Sequence, residues 1–245
     1  MARYGMVIEL DKCVGCRACM EACKVENNTP EGMFWMYVFR LEEGEFPNTK
    51  MSFLPRPCMH CDNPPCVQVC PTQARFKRED GLVLTDFDRC IGCQYCSIAC
   101  PYGVNYFNGM KPSDNYYLDW KDGQAKAATQ GAVPPYDNPD LNRDHKKNGR
   151  RVAGGGHYKG VIEKCTFCVQ RVEKGLTTAC ANACPVSAIH FGDLDDPESE
   201  VSKLLAKKRH FRLKEDLNTR PKVYYVGAPA PGIKTREIEA VKRRA

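Results

Sequence analysis

Sixteen cysteines give this sequence its most obvious capacity for chemistry, and they fall into four groups of four with none left over. Groups one and three have the spacing Cys-x2-Cys-x2-Cys-x3-Cys. Groups two and four keep the first and last gaps, but their middle gap is four and eleven residues long, respectively. Thiols this crowded can pair as disulfides or bind metal. The groups are Cys13, Cys16, Cys19 and Cys23; Cys58, Cys61, Cys66 and Cys70; Cys90, Cys93, Cys96 and Cys100; and Cys165, Cys168, Cys180 and Cys184.

Three chemistries compete for these groups. Disulfides are disfavoured, because Cys-x2-Cys-x2-Cys triples crowd sulfurs around one point, where pairing would strain the bridge geometry. Structural zinc needs four thiolates, usually from two separate Cys-x2-Cys pairs, which groups two and four alone could supply. A cubane [4Fe–4S] cluster also needs four thiolates, and the group-three run CIGCQYCSIACP matches the bacterial ferredoxin pattern C-x2-C-x2-C-x3-C-P. The sequence therefore predicts cubane iron–sulfur clusters.

The fourth cysteine of each group is predicted to serve a different cluster from the first three. Cys23 follows Cys19 by four residues of a predicted helix, a rise of roughly 6 Å, which carries its thiol away from the first cluster. In the ferredoxin pattern that thiol completes the other cluster of a pair. Groups two and three are close in the chain and should pair, which leaves groups one and four as the second pair. The predicted ligand sets are Cys13, Cys16, Cys19 and Cys184 (cluster 1); Cys23, Cys165, Cys168 and Cys180 (cluster 2); Cys58, Cys61, Cys66 and Cys100 (cluster 3); and Cys70, Cys90, Cys93 and Cys96 (cluster 4).

A repeated unit surrounds these cysteines. Proline follows the last cysteine of groups two, three and four, in the phrases CPTQA, CPYGV and CPVSA. Proline disfavours helical backbone at the residue before it, so a short helix should end there and a short strand should follow. Group one has Lys24 in that place, so the chain must leave its helix in another way. The predicted fold class is α+β, with two ferredoxin-like modules of two clusters each.

The pairing of the groups divides the chain. Residues 58–110 form one module, which is inserted in a second module made of residues 1–57 and 159–226. Residues 111–158 are polar and rich in Gly, Pro, Asn and Asp, which predicts a long surface loop. Residues 227–245 are predicted to form an extended tail that lies on a partner or hangs free.

Local patterns predict several elements. Strands are expected at 4–10, 103–107 and 188–191, and a hairpin arm at 33–41. The stretch ARFKREDGLVLTD should form a hairpin that turns at Asp80 and Gly81. A helix should begin at Asp196-Pro197, with proline in its first turn, and run to Lys207.

Composition excludes several function classes. The formal charge of +6 invites a nucleic-acid hypothesis, but sixteen thiolates around cationic clusters would cancel it. The longest apolar runs are too short to span a bilayer, and the N-terminus MARYGMVIEL lacks the pattern of an export signal. No nucleophile, acid/base pair or phosphate-binding loop stands out, so no catalytic residue is predicted on this chain.

Several side chains near the cysteines should support the clusters. His60 lies between two cysteines and is expected to act around the metal rather than on it. Tyr95, Tyr102 and Phe167 are expected to shield the clusters from water. Basic residues would raise reduction potentials by stabilising the more negative reduced state. They are Lys12, Arg17, Lys24, Arg75, Lys77, Lys164 and Arg171.

The group-three run, together with the split fourth group CTFCVQRVEKGLTTACANACP, resembles the iron–sulfur electron-transfer subunits of molybdopterin oxidoreductases, the dimethyl sulfoxide reductase superfamily. The stretches KCVGCRACMEACKVENNTPEG and GDLDDPESEVSKLL look most like the small subunit of respiratory arsenate reductase. The resemblance covers residues 4–226. Some relatives replace a group-three cysteine with tryptophan and hold a three-iron cluster; Cys93 occupies that place here, which implies four cubanes.

The resemblance implies an electron-transfer subunit in a membrane-associated complex. Its partners would be a molybdopterin-containing catalytic subunit and a membrane quinone-reactive subunit or soluble carrier. Export folded, with a signal-bearing partner, would place it on the periplasmic face; some relatives face the cytoplasm. Two alternatives remain at this point: a free-standing diffusible polyferredoxin and a zinc-stabilised interaction protein.

Overall fold

The computed structural model describes residues 2–30, 32–109, 146–147, 150–151 and 157–227. Within these ranges it combines short helices with small sheets, as the predicted mixed class requires. The helices are α1 (Ala18–Asn27), α2 (Pro65–Gln68), α3 (Tyr95–Ala99), α4 (Val169–Val172), α5 (Ala179–Asn182) and α6 (Glu200–Lys207). The strands are β1 (Tyr4–Glu9), β2 (Tyr37–Glu43), β3 (Lys50–Arg56), β4 (Arg75–Lys77), β5 (Val83–Thr85), β6 (Tyr106–Phe107), β7 (Lys146–Lys147), β8 (Arg150–Arg151), β9 (Ile162–Glu163), β10 (Ile189–Asp193), β11 (His210–Phe211) and β12 (Val223–Val226).

The largest sheet joins the two ends of the described chain. Its strand order is β10-β1-β12-β11, with β1 antiparallel to β10 and parallel to β12. Met6 of β1 lies beside Phe191 and Val223 in the register. Met6, Ile8, Val223 and Tyr225 are fully buried, so this sheet anchors the main hydrophobic core. The strand predicted at 4–10 is therefore confirmed as β1, and the strand predicted at 188–191 as β10.

The structure contains both hairpins that the local sequence predicts, but the first strand of one of them begins later than predicted. β4 pairs antiparallel with β5, and Gly81 has a φ of +80° at the predicted turn, a value that glycine tolerates best. The arm predicted at 33–41 begins later, since β2 starts at Tyr37 and runs to Glu43 against β3. Residues 33–36 instead form an irregular segment that leads into β2, with Trp35 and Met36 buried in the core.

The cysteine units repeat in backbone conformation as well as in sequence. The fourth residue of each proline phrase, Gln73, Gly103 and Ser187, has a positive φ between 47° and 60°. The helices before these prolines end one or two residues before the cysteine that precedes proline. α1 has no such proline and continues four residues past Cys23 to Asn27. Proline thus ends the helices of groups two to four, as predicted.

The helix near residue 200 begins later than predicted. α6 starts at Glu200, and the side chain of Ser199 accepts a hydrogen bond from the Ser202 amide at its N-terminus. Asp196 instead accepts from the Glu198 amide in the preceding turn. A serine hydroxyl that satisfies a free helix amide outweighs proline in the first turn here.

Most of the predicted loop at 111–158 and nearly all of the tail at 227–245 lie outside the described residues. Inside the loop the structure describes β7 and β8, which pair antiparallel, and residues 157–158. Among the described residues, no helix has both the length and the apolar character needed to cross a membrane.

Candidate metal centres

The first set of thiols draws on both ends of the sequence. The chain leaves β1 through a single 3-10 turn, and Gly15 and Arg17 take left-handed conformations that bend the cysteine loop into α1. Cys184, which follows α5, comes back to this loop. Burial, followed by the charges of Cys13, Cys184 and Cys16, raises the pKa of Cys19 to about 12. The structure therefore brings together the four cysteines of the predicted cluster 1.

The second set is the most deeply enclosed. Cys23, on α1, faces the thiols of group four, and all four cysteines are buried. Burial, followed by the charges of Cys165, Cys168 and Cys180, raises the pKa of Cys23 well above its ordinary value. α1 packs against α5, which brings Cys23 and Cys180 to the same place. These are the four cysteines of the predicted cluster 2.

The third set lines a recess of about 340 Å³, part of it open to solvent. Its cysteines are Cys58, Cys61, Cys66 and Cys100. Burial, followed by the charge of Cys58, raises the pKa of Cys61 above its ordinary value. Cys100 arrives from the end of α3, so this set combines groups two and three, as predicted for cluster 3.

The fourth set lines a second recess of about 300 Å³, part of it open to solvent. Cys70, from the end of α2, joins three group-three cysteines, Cys90, Cys93 and Cys96. α2 packs against both α3 and β4, which brings the two groups together. These are the four cysteines of the predicted cluster 4.

Neighbouring sets interact with one another. The charge of Cys19, in the first set, contributes to the raised pKa of Cys180, in the second, after burial. The charge of Cys58, in the third set, similarly contributes to the raised pKa of Cys165 in the second. The first and fourth sets each include one solvent-exposed cysteine, Cys16 and Cys93 respectively. These charge effects link the first set to the second and the second to the third, and α2, which carries Cys66 of the third set, ends two residues before Cys70 of the fourth.

The local chemistry fits thiolate ligands of a cationic cluster. The four thiols of the second set are all buried and oppose one another's ionisation, so they need a positive centre to become thiolates together. Amide groups already point at several sulfurs: Ala188 donates to Cys184 at 3.2 Å, Arg75 to Cys70 at 3.4 Å and Phe167 to Cys165 at 3.4 Å. Such hydrogen bonds favour the thiolate over the thiol. In the part of the chain that the structure describes, no three His, Cys, Asp or Glu side chains are close enough to hold a single metal ion.

Three polar side chains near the sulfurs were missed at the sequence level. Asn27 donates to Cys23 Sγ at 3.5 Å from one turn further along α1. Thr178 and Thr72 place their hydroxyls 3.4 Å from Cys180 Sγ and 3.8 Å from Cys70 Sγ. The four-residue step from Cys23 to Asn27 on a helix was the available signal, because such residues share a face.

His60 and the aromatic residues have unequal roles. His60 is buried, and its Nδ1 accepts from the Val83 amide at 3.0 Å, so Nε2–H donates to the Cys165 carbonyl at 2.9 Å. Burial, followed by the charges of Lys164 and Lys222, lowers the pKa of His60 well below its ordinary value, which keeps the ring neutral. Tyr102 and Phe167 are buried as expected for shielding groups. Tyr95 is 59% exposed, so the expectation that it shields a cluster is wrong.

Comparison with known proteins agrees with this chemistry. Two family profiles, each described as a 4Fe-4S dicluster domain, match the sequence at residues 12–74 and at residues 49–114 with 154–194. Sixteen cysteines in two such domains support [4Fe–4S] clusters rather than zinc. The fold and the cysteine sets thus define a ferredoxin-type iron–sulfur protein.

Relatives extend over nearly the whole chain. The arsenate respiratory reductase iron–sulfur subunit ArrB of a Shewanella species is 43% identical over 232 residues, which cover 91% of this chain and 96% of the relative. A selenate reductase subunit of Mesobacillus selenatarsenatis is 41% identical, covering 90% and 70%. The menaquinone reductase iron–sulfur cluster-binding subunit of Nitratidesulfovibrio vulgaris is 38% identical, covering 91% and 88%. The chain belongs to the family of iron–sulfur electron-transfer subunits of molybdopterin oxidoreductases.

Proposed function

We propose that this chain relays electrons through four [4Fe–4S] clusters. One end of the relay would meet a molybdopterin-containing catalytic subunit, and the other a membrane quinone-reactive subunit or a soluble carrier. The observation that carries the proposal is the continuous series of four cysteine sets. The chain's own residues bind and orient the clusters and exclude water, while the clusters supply the one-electron chemistry when bound. Substrate chemistry would belong to the partner.

The proposed ligands are the four sets described above. They are Cys13, Cys16, Cys19 and Cys184 for cluster 1; Cys23, Cys165, Cys168 and Cys180 for cluster 2; Cys58, Cys61, Cys66 and Cys100 for cluster 3; and Cys70, Cys90, Cys93 and Cys96 for cluster 4. Support comes from the charges that cysteines of one set exert on one another, and from the two recesses that the third and fourth sets line. The ferredoxin spacing supports the same sets independently.

The proposed modules follow from these ligands. Clusters 1 and 2 belong to a module of residues 1–57 and 159–226, and clusters 3 and 4 to an inserted module of residues 58–110. Pairing of β1 with β10 and β12 supports the first, since it joins the beginning of the chain to residues beyond the insertion. Residues 111–158 and 227–245 would then be available for contacts with partners.

The order of electron transfer is proposed to be cluster 1, cluster 2, cluster 3, cluster 4, in either direction. The charge of Cys19 contributes to the raised pKa of Cys180, and that of Cys58 to the raised pKa of Cys165, which supports clusters 1, 2 and 3 as successive neighbours. The exposed Cys16 and Cys93 support clusters 1 and 4 as the points where electrons enter and leave. Partners would dock at these two ends.

The complex is proposed to be membrane-associated, with this chain on the periplasmic face. It would be exported folded with a signal-bearing partner, as the resemblance implies. Protease treatment of intact spheroplasts tests the location, because a periplasmic chain would be cleaved or released and a cytoplasmic one protected.

Metal content and paramagnetic resonance test the relay directly. Protein prepared without oxygen should contain roughly 16 iron and 16 acid-labile sulfide per chain, with negligible zinc. Fewer than about twelve irons, or stoichiometric zinc, would contradict the four-cluster proposal. Co-purification with a molybdenum-containing subunit is expected, whereas a monomer in native extract would favour the diffusible polyferredoxin.

Serine substitutions test the crossed ligands. Cys23→Ser and Cys168→Ser should alter one and the same resonance signal, while Cys184→Ser and Cys16→Ser should alter a second one. If Cys23→Ser instead matches Cys16→Ser, each group would close its own cluster and the proposed modules would be wrong. Ser202→Ala, in a helix that carries no cysteine, is the matched control and should leave every signal in place.

A further inference from the structure

One buried arginine lies at the fourth set of cysteines. Arg75, the first residue of β4, is 2% exposed and lines the same recess as Cys70, Cys90, Cys93 and Cys96. Among the described residues, no carboxylate lies within ion-pair distance of its guanidinium. A buried cation without a counter-charge is costly. This recess therefore suits a ligand with net negative charge, such as an iron–sulfur cluster held by four thiolates.

Arg75 contacts two thiols of this set, one through its backbone and one through its side chain. Its amide donates to Cys70 Sγ at 3.4 Å, and its Nη2 donates to Cys96 Sγ at 3.7 Å. Cys70 belongs to group two of the sequence and Cys96 to group three. A single residue thus reaches sulfur atoms from both groups, and its guanidinium forms part of the wall of the recess.

The guanidinium is fixed in place relative to the backbone that carries Cys96. Its Nη2 donates to Asn105 Oδ1 at 2.7 Å and to the Ile162 carbonyl at 3.5 Å. Asn105 Nδ2 in turn donates to the Cys96 carbonyl at 2.9 Å. Because a guanidinium is planar and rigid, these bonds to one nitrogen also restrict where its other donors lie.

Two donors of this guanidinium are left over. Nε and Nη1 of Arg75 are buried and have no hydrogen-bond partner among the described residues. Buried donors that stay unsatisfied are costly, and native proteins rarely contain them without a reason. Lys164, a buried cation in the recess of the third set, differs, because its ammonium donates to the carbonyls of Val83 and Cys165. Arg75 therefore has a hydrogen-bonding capacity that a bound group in the fourth recess would use.

We propose that Nε and Nη1 of Arg75 donate hydrogen bonds to sulfur atoms of the cluster held by Cys70, Cys90, Cys93 and Cys96, and that Arg75 thereby raises the reduction potential of this cluster. The inference rests on the ligand sets of the proposed function. Hydrogen bonds from a charged donor are strong, and they strengthen further when the acceptor gains negative charge. Arg75 stabilises the charge that one added electron brings, and no covalent bond forms or breaks.

A nitrogen label tests the contact without any change to the wild-type chain. The whole chain is prepared without oxygen from cells supplied with arginine that carries ¹⁵N in its guanidinium group, and it is then reduced. Pulsed paramagnetic resonance should detect ¹⁵N coupled to the signal that Cys93→Ser alters. Arg75→Lys, prepared from the same medium, should lack this coupling. The proposal is overturned if the wild type shows no coupling on that signal or if Arg75→Lys keeps it.

An anaerobic redox titration tests the effect on potential. Arg75→Gln should lower the equilibrium constant for reduction of this cluster about tenfold, which is about 59 mV for a one-electron couple. Arg75→Lys keeps the charge and should recover most of that loss, a response that a merely structural arginine would not give. Lys77→Gln is the matched control, because the Lys77 side chain lies on the same strand but is 34% exposed and pairs with Asp62 at 3.2 Å; it should change the constant less than twofold.

A change of less than twofold in Arg75→Gln with full iron content overturns the proposal, and if that variant loses iron, the ¹⁵N coupling of the wild type decides. Cys70→Ser and Cys93→Ser separate the causes of failure. If both alter one shared signal and Arg75→Gln shifts a different one, only the role of Arg75 is wrong. If they alter two different signals, the proposed ligand sets are wrong and the inference falls with them.

Discussion

Lys24 occupies the place where the other cysteine groups have proline, and its side chain is 1% exposed. The Nζ donates to the carbonyls of Thr29 at 3.3 Å, Pro30 at 3.0 Å and Met33 at 3.0 Å. It also lies 4.7 Å from the centre of the Phe34 ring. One ammonium therefore fastens the segment that follows α1, which explains how the chain leaves this helix without proline.

Lys24→Met removes the charge and keeps most of the apolar stem. An ammonium supplies three donors, and a hydrogen bond with a charged partner contributes about 1.5–3 kcal/mol. The cost of keeping the ammonium out of water offsets part of that sum. The carbonyls of Thr29 and Pro30 lose this donor, while that of Met33 keeps the Thr29 hydroxyl at 3.0 Å. We expect a net loss of about 2–4 kcal/mol in the free energy of local unfolding around α1.

Cluster loss reports this unfolding, because α1 carries Cys19 and Cys23. In a fixed concentration of urea without oxygen, the iron–sulfur absorbance of Lys24→Met should bleach roughly 30- to 1,000-fold faster than that of the wild type, as about 1.4 kcal/mol is a factor of ten. Lys207→Met is the matched control on an exposed helix position, where a change within about 0.5 kcal/mol is expected. A Lys24→Met rate within threefold of the wild type would refute this reasoning.

Two further predictions are checked by the same unfolding assay for a glutamate variant and by iron content for two glycine variants. Burial opposes ionisation of Glu9, but hydrogen bonds from Lys12, Lys208 and His190 dominate and lower its pKa to about 2. Because the pKa is depressed, the Glu9 carboxylate stabilises the fold fully at pH values above the ordinary glutamate pKa, and this stabilisation is lost as the pH falls toward 2. Glu9→Gln should therefore lower the free energy of unfolding by about 1–2 kcal/mol at pH 7 and by progressively less below about pH 4.5. Gly92→Ala should abolish one cluster, about four of sixteen irons, because its Cβ would lie 2.1 Å from the Gly160 carbonyl oxygen at a φ of +68°. Gly160→Ala has a similar φ of +84° but open space, so it should cost only about 1–2 kcal/mol and keep its iron; equal iron in both variants would contradict the steric argument.

Local features were the ones that sequence could predict. The turn at Gly81 and the helix ends before proline depend on residues adjacent in the chain, whose preferred dihedral angles are strong. Which cysteines share a cluster stays a prediction, and it could be made at all because ferredoxin spacing relates cysteines that are far apart in the chain.

Non-local features were beyond sequence reasoning. No pattern in residues 223–226 indicated that β12 would lie parallel to β1, since the pairing depends on packing of the whole core. The carbonyl cage around Lys24 is likewise formed by tertiary packing, while composition alone suggests a solvated lysine there. The late start of α6 shows the same limit on a small scale. Asp196 and Ser199 compete as the residue that caps the helix, and the stabilisation that one cap provides is only about 1 kcal/mol.

The pairing of β1 with β10 and β12 has a consequence for the time course of synthesis. β10 lies about 180 residues after β1, so β1 leaves the ribosome roughly 10 to 40 s before it at bacterial translation rates. During that interval neither β10 nor β12 is present to pair with the apolar β1 edge. The thiols of Cys13, Cys16 and Cys19 also lack Cys184, the fourth cysteine of the first set. Residues 58–110 contain all eight cysteines of the third and fourth sets, so under the proposed ligand sets that half can mature on the growing chain. Under the proposed ligand sets, the other half can mature only after Cys184 has been synthesised, and until then its thiols and the β1 edge are open to oxygen and to competing strands.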